Sequence, residues 1–305
     1  MIAVSVENIS KKYGGINALS NVSFEANMGE IFGIIGPDGA GKTTLFRILT
    51  TLLLADSGKA TVGEDDVVRD YRQIRQKIGY MPGKFSLYQD LSVEENLEFF
   101  ATLFNTTIQE NYDLIKDIYQ QIEPFKERKA GQLSGGMKQK LALSCALIHK
   151  PTVLFLDEPT TGVDPVSRKE FWEMLEKLKE QGIAIIVSTP YMDEAALCDR
   201  IAFIQNGQFL EINTPQNIVA QFKDKLWTAE AENMYQLLLD LRNNEHVKSC
   251  FTFGENHHIT VDDTLTIENL ETYLSGRGHT HVKIKSIKPG IEDCFIQIIE
   301  RKQNE

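Results

Sequence analysis

The chain has 305 residues, 42% hydrophobic and 25% charged, a globular composition that excludes collagen-like, disordered and disulfide-scaffold classes. Asp and Glu outnumber Lys and Arg by 43 to 32, and the resulting net charge of -11 disfavours nucleic acid as a partner. No apolar run approaches the roughly 18–20 residues that a membrane-spanning helix needs, and no signal peptide is recognisable. We therefore expect a cytoplasmic protein with about two domains, whose four cysteines stay reduced and whose membrane role, if any, comes from partners.

Short apolar runs alternate with amphipathic segments of helical length through the first two-thirds of the chain, as in α/β folds. Ile31–Ile35 and residues 153–156 and 183–187 are continuously apolar, which is typical of strands buried on both faces of a parallel sheet. Between the first two, Ser92 and Glu95 form a capping-box pattern that opens a helix.

The later part of the chain carries further signals of helix starts and turns. Asp164 followed by Pro165 predicts a helix start, and Asn206-Gly207 predicts a hairpin turn. From about residue 221 the pattern changes to two short helices and several half-exposed strands. We predict a main domain over residues 1–220 and a small α+β accessory domain over residues 221–305.

The segment after the first central strand fits the phosphate-loop pattern G-x-x-x-x-G-K-[ST]. Backbone N–H groups of such a loop face phosphate oxygens, Lys42 would reach the β- and γ-phosphates, and the Thr43 hydroxyl would ligate Mg²⁺. A Gly-rich turn without a ligand is the alternative interpretation. The predicted nucleotide-binding residues of this segment are Gly36, Pro37, Asp38, Gly39, Ala40, Gly41, Lys42, Thr43 and Thr44.

Two carboxylates end the buried strand at residues 153–156. Asp157 is suited to hold Mg²⁺ together with Thr43, and Glu158 could polarise the water that attacks the γ-phosphate. Acids at a strand end are otherwise often helix or turn caps, but after a phosphate loop the catalytic interpretation is favoured.

With these residues in place, the chain resembles the ATP-binding subunits of ABC transporters over most of residues 1–220, and most of all the multidrug and antibiotic exporters. The resemblance implies a P-loop NTPase core with a helical subdomain at about residues 84–150. It also implies ATP and Mg²⁺ as cofactors, separate membrane-spanning subunits, a second ATP-binding subunit, and a location on the inner face of the cell membrane.

The resemblance adds site residues outside the phosphate loop. Residues 133–137 are similar to the family signature LSGGQ, with Met in place of the last Gln. In the family this segment binds the nucleotide held by the opposite subunit, which implies that role for Ser134, Gly135 and Gly136. Asp164 matches the acid of the D-loop, and Tyr13 matches the aromatic residue that stacks on adenine.

Two positions depart from the family pattern. Gly83 stands where the family usually has a Gln that contacts Mg²⁺ and water, and Pro190 stands where it usually has a His that contacts the γ-phosphate. Neither residue can supply the missing side-chain contact. One hypothesis is that this chain's own pocket binds ATP but hydrolyses it slowly; the other is that Lys84 or Gln89 compensates and the protein is an ordinary homodimeric ATPase.

Other residues leave alternatives open. Phe85, Leu87 and Tyr88 are suited either to receive a helix of a membrane subunit or to form local core. The paired histidines at 257–258 and at 279 and 281 are interpreted as solvent-facing rather than metal-binding. A soluble ABC ATPase acting on DNA or ribosomes, and a non-catalytic nucleotide sensor, are the competing functions.

Overall fold

The computed structural model describes residues 1–304 and divides into two compact units, Met1–Pro215 and a second unit that begins at Gln216. The division lies five residues before the boundary that the sequence pattern predicts. None of the helices in residues 1–304 has the length and apolar character needed to cross a bilayer.

The first unit contains two sheets and most of the helices. Its strands are β1 (Ile2–Tyr13), β2 (Ile16–Asn27), β3 (Ile31–Ile35), β4 (Ser57–Val62), β5 (Asp65–Asp66), β6 (Ile78–Met81), β7 (Val153–Asp157), β8 (Ala184–Thr189), β9 (Arg200–Gln205) and β10 (Gln208–Asn213). Its helices are α1 (Lys42–Leu49), α2 (Tyr71–Lys77), α3 (Val93–Leu103), α4 (Tyr112–Tyr119), α5 (Gly135–Leu147) and α6 (Pro165–Glu180), and α7 (Pro215–Ala220) spans the division between the units.

The central sheet has the strand order β10-β9-β3-β8-β7-β6. All neighbouring pairs in it are parallel except β9 and β10, which form a hairpin through Asn206 and Gly207, both at positive φ. The predicted buried strands and the hairpin turn are confirmed. Since the carboxyl ends of parallel strands meet at one edge, β3, β7 and β8 bring their following loops together there.

A second, antiparallel sheet with the order β2-β1-β4-β5 packs with the central sheet around α1. The apolar face of α1 carries Leu45, Phe46 and Leu49, which belong to one buried cluster with side chains of both sheets. The Phe46 ring meets Phe155 of β7 edge to face at 6.0 Å. Burying each such side chain contributes about 1.5–3 kcal/mol, so the helix that follows the phosphate loop is firmly anchored.

Helix starts in the first unit follow the sequence signals. Ser92 accepts from the Glu95 amide while the Glu95 carboxylate accepts from the Ser92 amide, so the capping box of α3 is complete. Asp164 caps α6, with Pro165 at its first position.

The second unit is a separate α+β fold. Its elements are β11 (Lys225–Glu230), α8 (Met234–Arg242), β12 (Val247–Phe253), β13 (Asn256–Val261), α9 (Ile267–Gly276), β14 (Lys283–Ser286) and α10 (Ile291–Asn304). The antiparallel order β12-β13-β11-β14 with βαββαβ connectivity is a ferredoxin-like arrangement. Its own core includes Trp227, Leu241 and Leu270, so the predicted α+β character is confirmed.

The interpretation of the paired histidines as solvent-facing is wrong for most of them. His257 is 2% exposed and bonds the Met234 carbonyl, since alternation along β13 turns it into the core. His258 and His279 pair with Asp293 and Asp240, and of these histidines His281 alone is largely exposed. Within residues 1–304 no group of three His, Cys, Asp or Glu side chains is placed to hold a metal ion.

Candidate nucleotide site

The loop between β3 and α1 has a backbone that requires glycine at two positions. A Cβ at Gly36 would lie 2.1 Å from the Ile204 carbonyl oxygen, so any side chain there would collide with β9. Gly41 caps α1 with φ at 108°, in the left-handed region that favours glycine, and a Cβ there would lie 2.4 Å from the Ala18 oxygen. These constraints fix the loop tightly against the sheet.

Several amide groups of this loop lack partners. Within the part of the chain that the structure describes, the N–H groups of Gly39, Gly41, Lys42 and Thr43 donate no hydrogen bond to protein atoms. Such free donors, together with the positive end of the α1 dipole, form a binding site for an anion such as phosphate.

Lys42 places a charge among these donors. Its side chain is 3% exposed, and its Nζ atom donates to the carbonyl oxygens of Gly36 at 2.8 Å and Pro37 at 3.0 Å. It also forms an ion pair with Glu158 Oε1 at 3.1 Å. Lys42 and Glu158, which the sequence predicts for one site, are thus brought together.

Asp157 and Glu158 follow from β7 into the same edge of the sheet. Asp157 is 2% exposed and accepts a hydrogen bond from the Ser188 hydroxyl at 2.7 Å. Glu158 adopts φ 51°, a conformation that costs a residue with a side chain about 1–3 kcal/mol, and such strain is concentrated at functional sites. With burial, the negative charge of Asp157 raises the pKa of Tyr80 to about 12.

The donor set fits a magnesium ion. Mg²⁺ prefers carboxylate and other oxygen ligands, and Asp157 at the end of β7 and Thr43 in the first turn of α1 carry groups of this kind. Because Ser188 occupies one carboxylate oxygen of Asp157, the other remains for an ion.

Position 83 lies beside Asp157 but carries no side chain. A Cβ on Gly83 would lie 3.1 Å from the Asp157 carbonyl oxygen and 3.9 Å from its carboxyl carbon. Of the two proposed substitutes, Gln89 lies against Gly131, and Lys84 is exposed and forms no hydrogen bond or ion pair within residues 1–304.

The loop after β8, which contains Pro190, is held by a buried carboxylate. Glu194 is 1% exposed and accepts hydrogen bonds from the hydroxyls of Thr160 and Thr189. The Arg168 guanidinium approaches Glu194 and lies 4.2 Å above the ring of Tyr191. This network joins the segment after β7 to the loop after β8.

The signature residues form a different surface. Ser134 caps α5, and a Cβ at Gly135 or Gly136 would approach Gly162 or the Ser167 side chain, so this turn packs on the segment that leads into α6. These residues make no contact with the phosphate loop among the described contacts. Gly136 is buried, and the Met137 N–H donates to the Ser134 hydroxyl.

The remaining two predicted residues occupy exposed positions. Asp164 accepts from the amides of Val166 and Ser167, and these hydrogen bonds lower the pKa of its carboxyl. Tyr13 lies 45% exposed at the tip of the β1–β2 hairpin, with the Lys11 ammonium 6.0 Å from its ring. An exposed ring at a hairpin tip is free to stack on a base.

Sequence reasoning missed Ser188 and Glu194. A serine near a strand end and a glutamate in a short turn are both common, and the sequence around Ser188 and Glu194 does not mark either residue as part of the site. Only the pairing of β8 with β7 places Ser188 opposite Asp157.

Comparison with known proteins extends these observations. The family described as "ABC transporter" matches residues 19–161. The chain is 36% identical to the linearmycin resistance ATP-binding protein LnrL of Bacillus subtilis (strain 168), over 98% of each chain. It is 40% identical to the probable multidrug ABC transporter ATP-binding protein YbhF of Escherichia coli (strain K12), over 72% of this chain but only 38% of the length of YbhF.

A solved structure is also similar. The ATP-binding cassette MJ0796, in a dimeric post-hydrolysis state bound to ADP and Pi, aligns with a TM-score of 0.63 at 27% identity. The alignment covers 69% of this chain and 98% of that one.

Proposed function

The chain belongs to the ABC transporter family of ATP-binding proteins, and on that basis we propose that it binds and hydrolyses ATP to power an exporter. Export itself would be carried out by membrane-spanning subunits on other chains. The single observation that carries the proposal is the buried Lys42 ammonium beside Glu158, within a loop of unpartnered N–H groups.

Each residue contributes a step that its position supports. The loop amides and Lys42 bind the β- and γ-phosphates, and the exposed Tyr13 ring stacks on adenine. Thr43 and Asp157 would hold Mg²⁺, which when bound neutralises charge on the phosphate oxygens. Glu158 accepts a proton from the attacking water and orients it toward the γ-phosphate.

Loss of the lysine tests the proposal directly. We expect Lys42→Ala to abolish retention of ATP with Mg²⁺ in equilibrium dialysis, because it removes the only buried cation in contact with the loop carbonyls among residues 1–304. Lys169→Ala removes an 80% exposed cation from α6 and is the matched control, which should bind normally. Equal binding by Lys42→Ala and the unmodified chain would refute the nucleotide site.

The pocket of this chain should hydrolyse slowly. Position 83 lies next to Asp157 without a side chain, and Gln89 lies beside Gly131, which supports the first of the two hypotheses over compensation by Gln89. Removing one preorganised donor costs on the order of 10²–10³ in rate. Single-turnover hydrolysis should therefore fall well below the usual ~1–100 s⁻¹, and a rate in that range would contradict this.

A matched pair of substitutions locates the cause. Position 83 has ordinary backbone geometry and needs shifts of only a few tenths of an ångström to accept a side chain. We expect Gly83→Gln to raise the single-turnover rate by roughly 10-fold or more. Gly276→Gln, in open space in the second unit, should leave it unchanged.

The signature segment supports pairing with a second ATP-binding subunit. Ser134, Gly135 and Gly136 pack on the segment that leads into α6 and form no described hydrogen bond with this chain's own phosphate loop, and we propose that they complete a pocket on a partner chain. A partner that retains Gln and His at the two altered positions would then provide the faster site, with Asp164 at the interface.

A cleft in the first unit supports contact with a membrane subunit at the inner face of the membrane. The cleft has a volume of about 1080 Å³ and lies between α2 and β6 on one side and α3 and α5 on the other. Leu52 and Leu103 are exposed along it, and Arg72 and Arg75 provide polar contacts. Of the cluster expected from the sequence, Leu87 lines this cleft and is buried.

Tyr88 and Phe85 have other neighbours. The Tyr88 ring meets Phe99 at 4.9 Å, and the Lys138 ammonium lies 5.5 Å from the Phe85 ring.

Co-purification of the chain with integral membrane proteins after detergent extraction tests the proposed attachment to a membrane subunit. Recovery of the whole protein without any membrane component would contradict it.

A further inference from the structure

We propose that Ser188 is a positioning residue that orients both acids of the site, Asp157 for the magnesium ion and Glu158 for the attacking water. The inference rests on the ATPase function proposed above. It concerns a residue that neither the phosphate-loop pattern nor the signature includes.

The geometry of Ser188 connects the two acids. Asp157 and Ser188 are directly opposed in the register of β7 and β8. The Ser188 hydroxyl donates to Asp157 Oδ1 at 2.7 Å and accepts from the Glu158 amide at 3.0 Å. The same amide donates to the Ser188 carbonyl oxygen at 3.0 Å, so the backbone at Glu158 is held by both acceptors of one residue.

Both partners of the bond between Ser188 and Asp157 are shielded from solvent. Ser188 is fully buried and Asp157 is 2% exposed, so water does not compete for the bond. A hydroxyl has a single proton, and here that proton is directed to the carboxylate. Within residues 1–304, the Asp157 carboxylate accepts one described hydrogen bond, and its donor is the Ser188 hydroxyl.

The two sequence departures make this contact more important. Gly83 beside Asp157 has no side chain, and Pro190, two residues beyond Ser188, has no polar group. The carboxylate that would hold Mg²⁺ therefore depends on Ser188 for its orientation. Removing the partner that orients a metal ligand typically costs 10–100-fold in metal affinity or activity.

The test compares two side chains of equal shape. Ser188→Thr keeps the hydroxyl and Ser188→Val replaces it by a methyl group, so both add the same volume to a buried position. The readout is the Mg²⁺ concentration that half-saturates binding of a fluorescent ADP analogue, measured on the full chain without turnover. We expect Ser188→Val to raise this concentration about 10–100-fold and Ser188→Thr to stay near the unmodified chain.

Controls separate positioning from folding. ADP binding in EDTA should be nearly the same for the Thr and Val variants. Because the Val variant leaves a buried carboxylate without its donor, it should be less stable by about 1–3 kcal/mol, so both variants are compared well below their melting temperatures. Ser144→Ala removes an equally buried hydroxyl that bonds only the Lys140 carbonyl of its own helix, and should leave the magnesium dependence unchanged.

Distinct outcomes overturn the inference or the function beneath it. Equal magnesium dependence of Ser188→Thr and Ser188→Val, in a chain whose nucleotide binding is lost in Lys42→Ala, would refute the positioning role alone. Loss of ADP binding in EDTA by Ser188→Val would show a structural role instead. Failure of the unmodified chain to bind ADP at all would refute the proposed function, and the positioning role with it.

Discussion

The Lys42 ammonium, to which the proposed function assigns the phosphates, is paired with the Glu158 carboxylate at 3.1 Å. Lys42 is buried and surrounded by oxygen atoms of its own loop and of Glu158. An incoming γ-phosphate must therefore compete with the Glu158 carboxylate for the same ammonium group, and it also meets that carboxylate's repulsion. At the residue scale, the acid that the proposed function assigns to catalysis would also oppose nucleotide binding.

Neutralising Glu158 should strengthen nucleotide binding as well as stop hydrolysis. A partly exposed charge pair contributes up to about 1 kcal/mol, which corresponds to roughly a 5-fold change in affinity. We expect Glu158→Gln to bind a non-hydrolysable ATP analogue about 5-fold more tightly, as measured by titration calorimetry.

A neighbouring acid provides the control for this change. Asp38 lies 4.0 Å from the Lys42 ammonium but is 89% exposed, so its charge is screened by water. Asp38→Asn should alter the affinity by less than about 2-fold. Weaker binding by Glu158→Gln would show that the ion pair does not compete with phosphate.

At the scale of elements, His149 connects three of them. It follows α5, stacks on Phe104 beyond the end of α3 with ring centroids 3.8 Å apart, and bonds the Ile78 carbonyl of β6 through Nε2. Since a carbonyl only accepts, Nε2 carries the proton, and Nδ1 is buried without a partner. Burial lowers the pKa of His149 because a second ring proton would have no acceptor.

This histidine predicts a loss of stability in mild acid. The unfolded chain keeps the ordinary pKa near 6.5, so the folded state binds fewer protons once the pH falls below that value. The contribution of His149 is therefore complete above about pH 6.5 and is lost as the pH falls, by at most about 1.4 kcal/mol per pH unit.

Denaturant titrations between pH 7.5 and 5.5 measure this effect. His149→Phe keeps the stacking on Phe104 but cannot be protonated, so its free energy of unfolding should fall less over this range than that of the unmodified chain. The exposed His281→Gln is the control and should keep the original pH dependence. An identical pH dependence in the His149→Phe variant would contradict the assignment. The hydrogen bond to Asp262 raises the pKa of His246 in the second unit, so His246 makes the folded state more stable as the pH falls. This contribution is the same in the unmodified chain and in both variants.

At the scale of the whole molecule, the phosphate-loop site and the accessory fold belong to separate units. Every residue of the phosphate loop, both acids and Ser188 lie in Met1–Pro215, and the second unit has its own core around Trp227 and Leu241. A chain truncated after Ala220, which keeps α7 complete, should therefore fold and bind nucleotide.

Binding of a fluorescent ATP analogue by this truncated chain should agree with that of the full chain within about 2-fold. Lys42→Ala in the same truncated chain should abolish it. Loss of affinity on truncation, with the circular dichroism spectrum of a folded α/β unit retained, would show that the second unit contributes to the site.

The sequence by itself determined the elements whose causes are local. The phosphate loop can be recognised from its sequence because its glycines avoid specific collisions with neighbouring backbone. The capping box of α3 and the Asn206-Gly207 turn depend on residues only a few positions apart. Continuous apolar runs identified β3 and β7, since strands buried on both faces cannot alternate with polar residues.

Only the tertiary structure decided which distant residues meet. The bond from Ser188 to Asp157, the burial of Glu194 between two threonine hydroxyls and the inward-facing His257 all depend on strand register and chain crossings. It also showed that Gln89 lies beside Gly131 rather than at the phosphate loop. Contacts between residues remote in sequence are set by how sheets and helices pack, and no short pattern along the chain encodes that geometry.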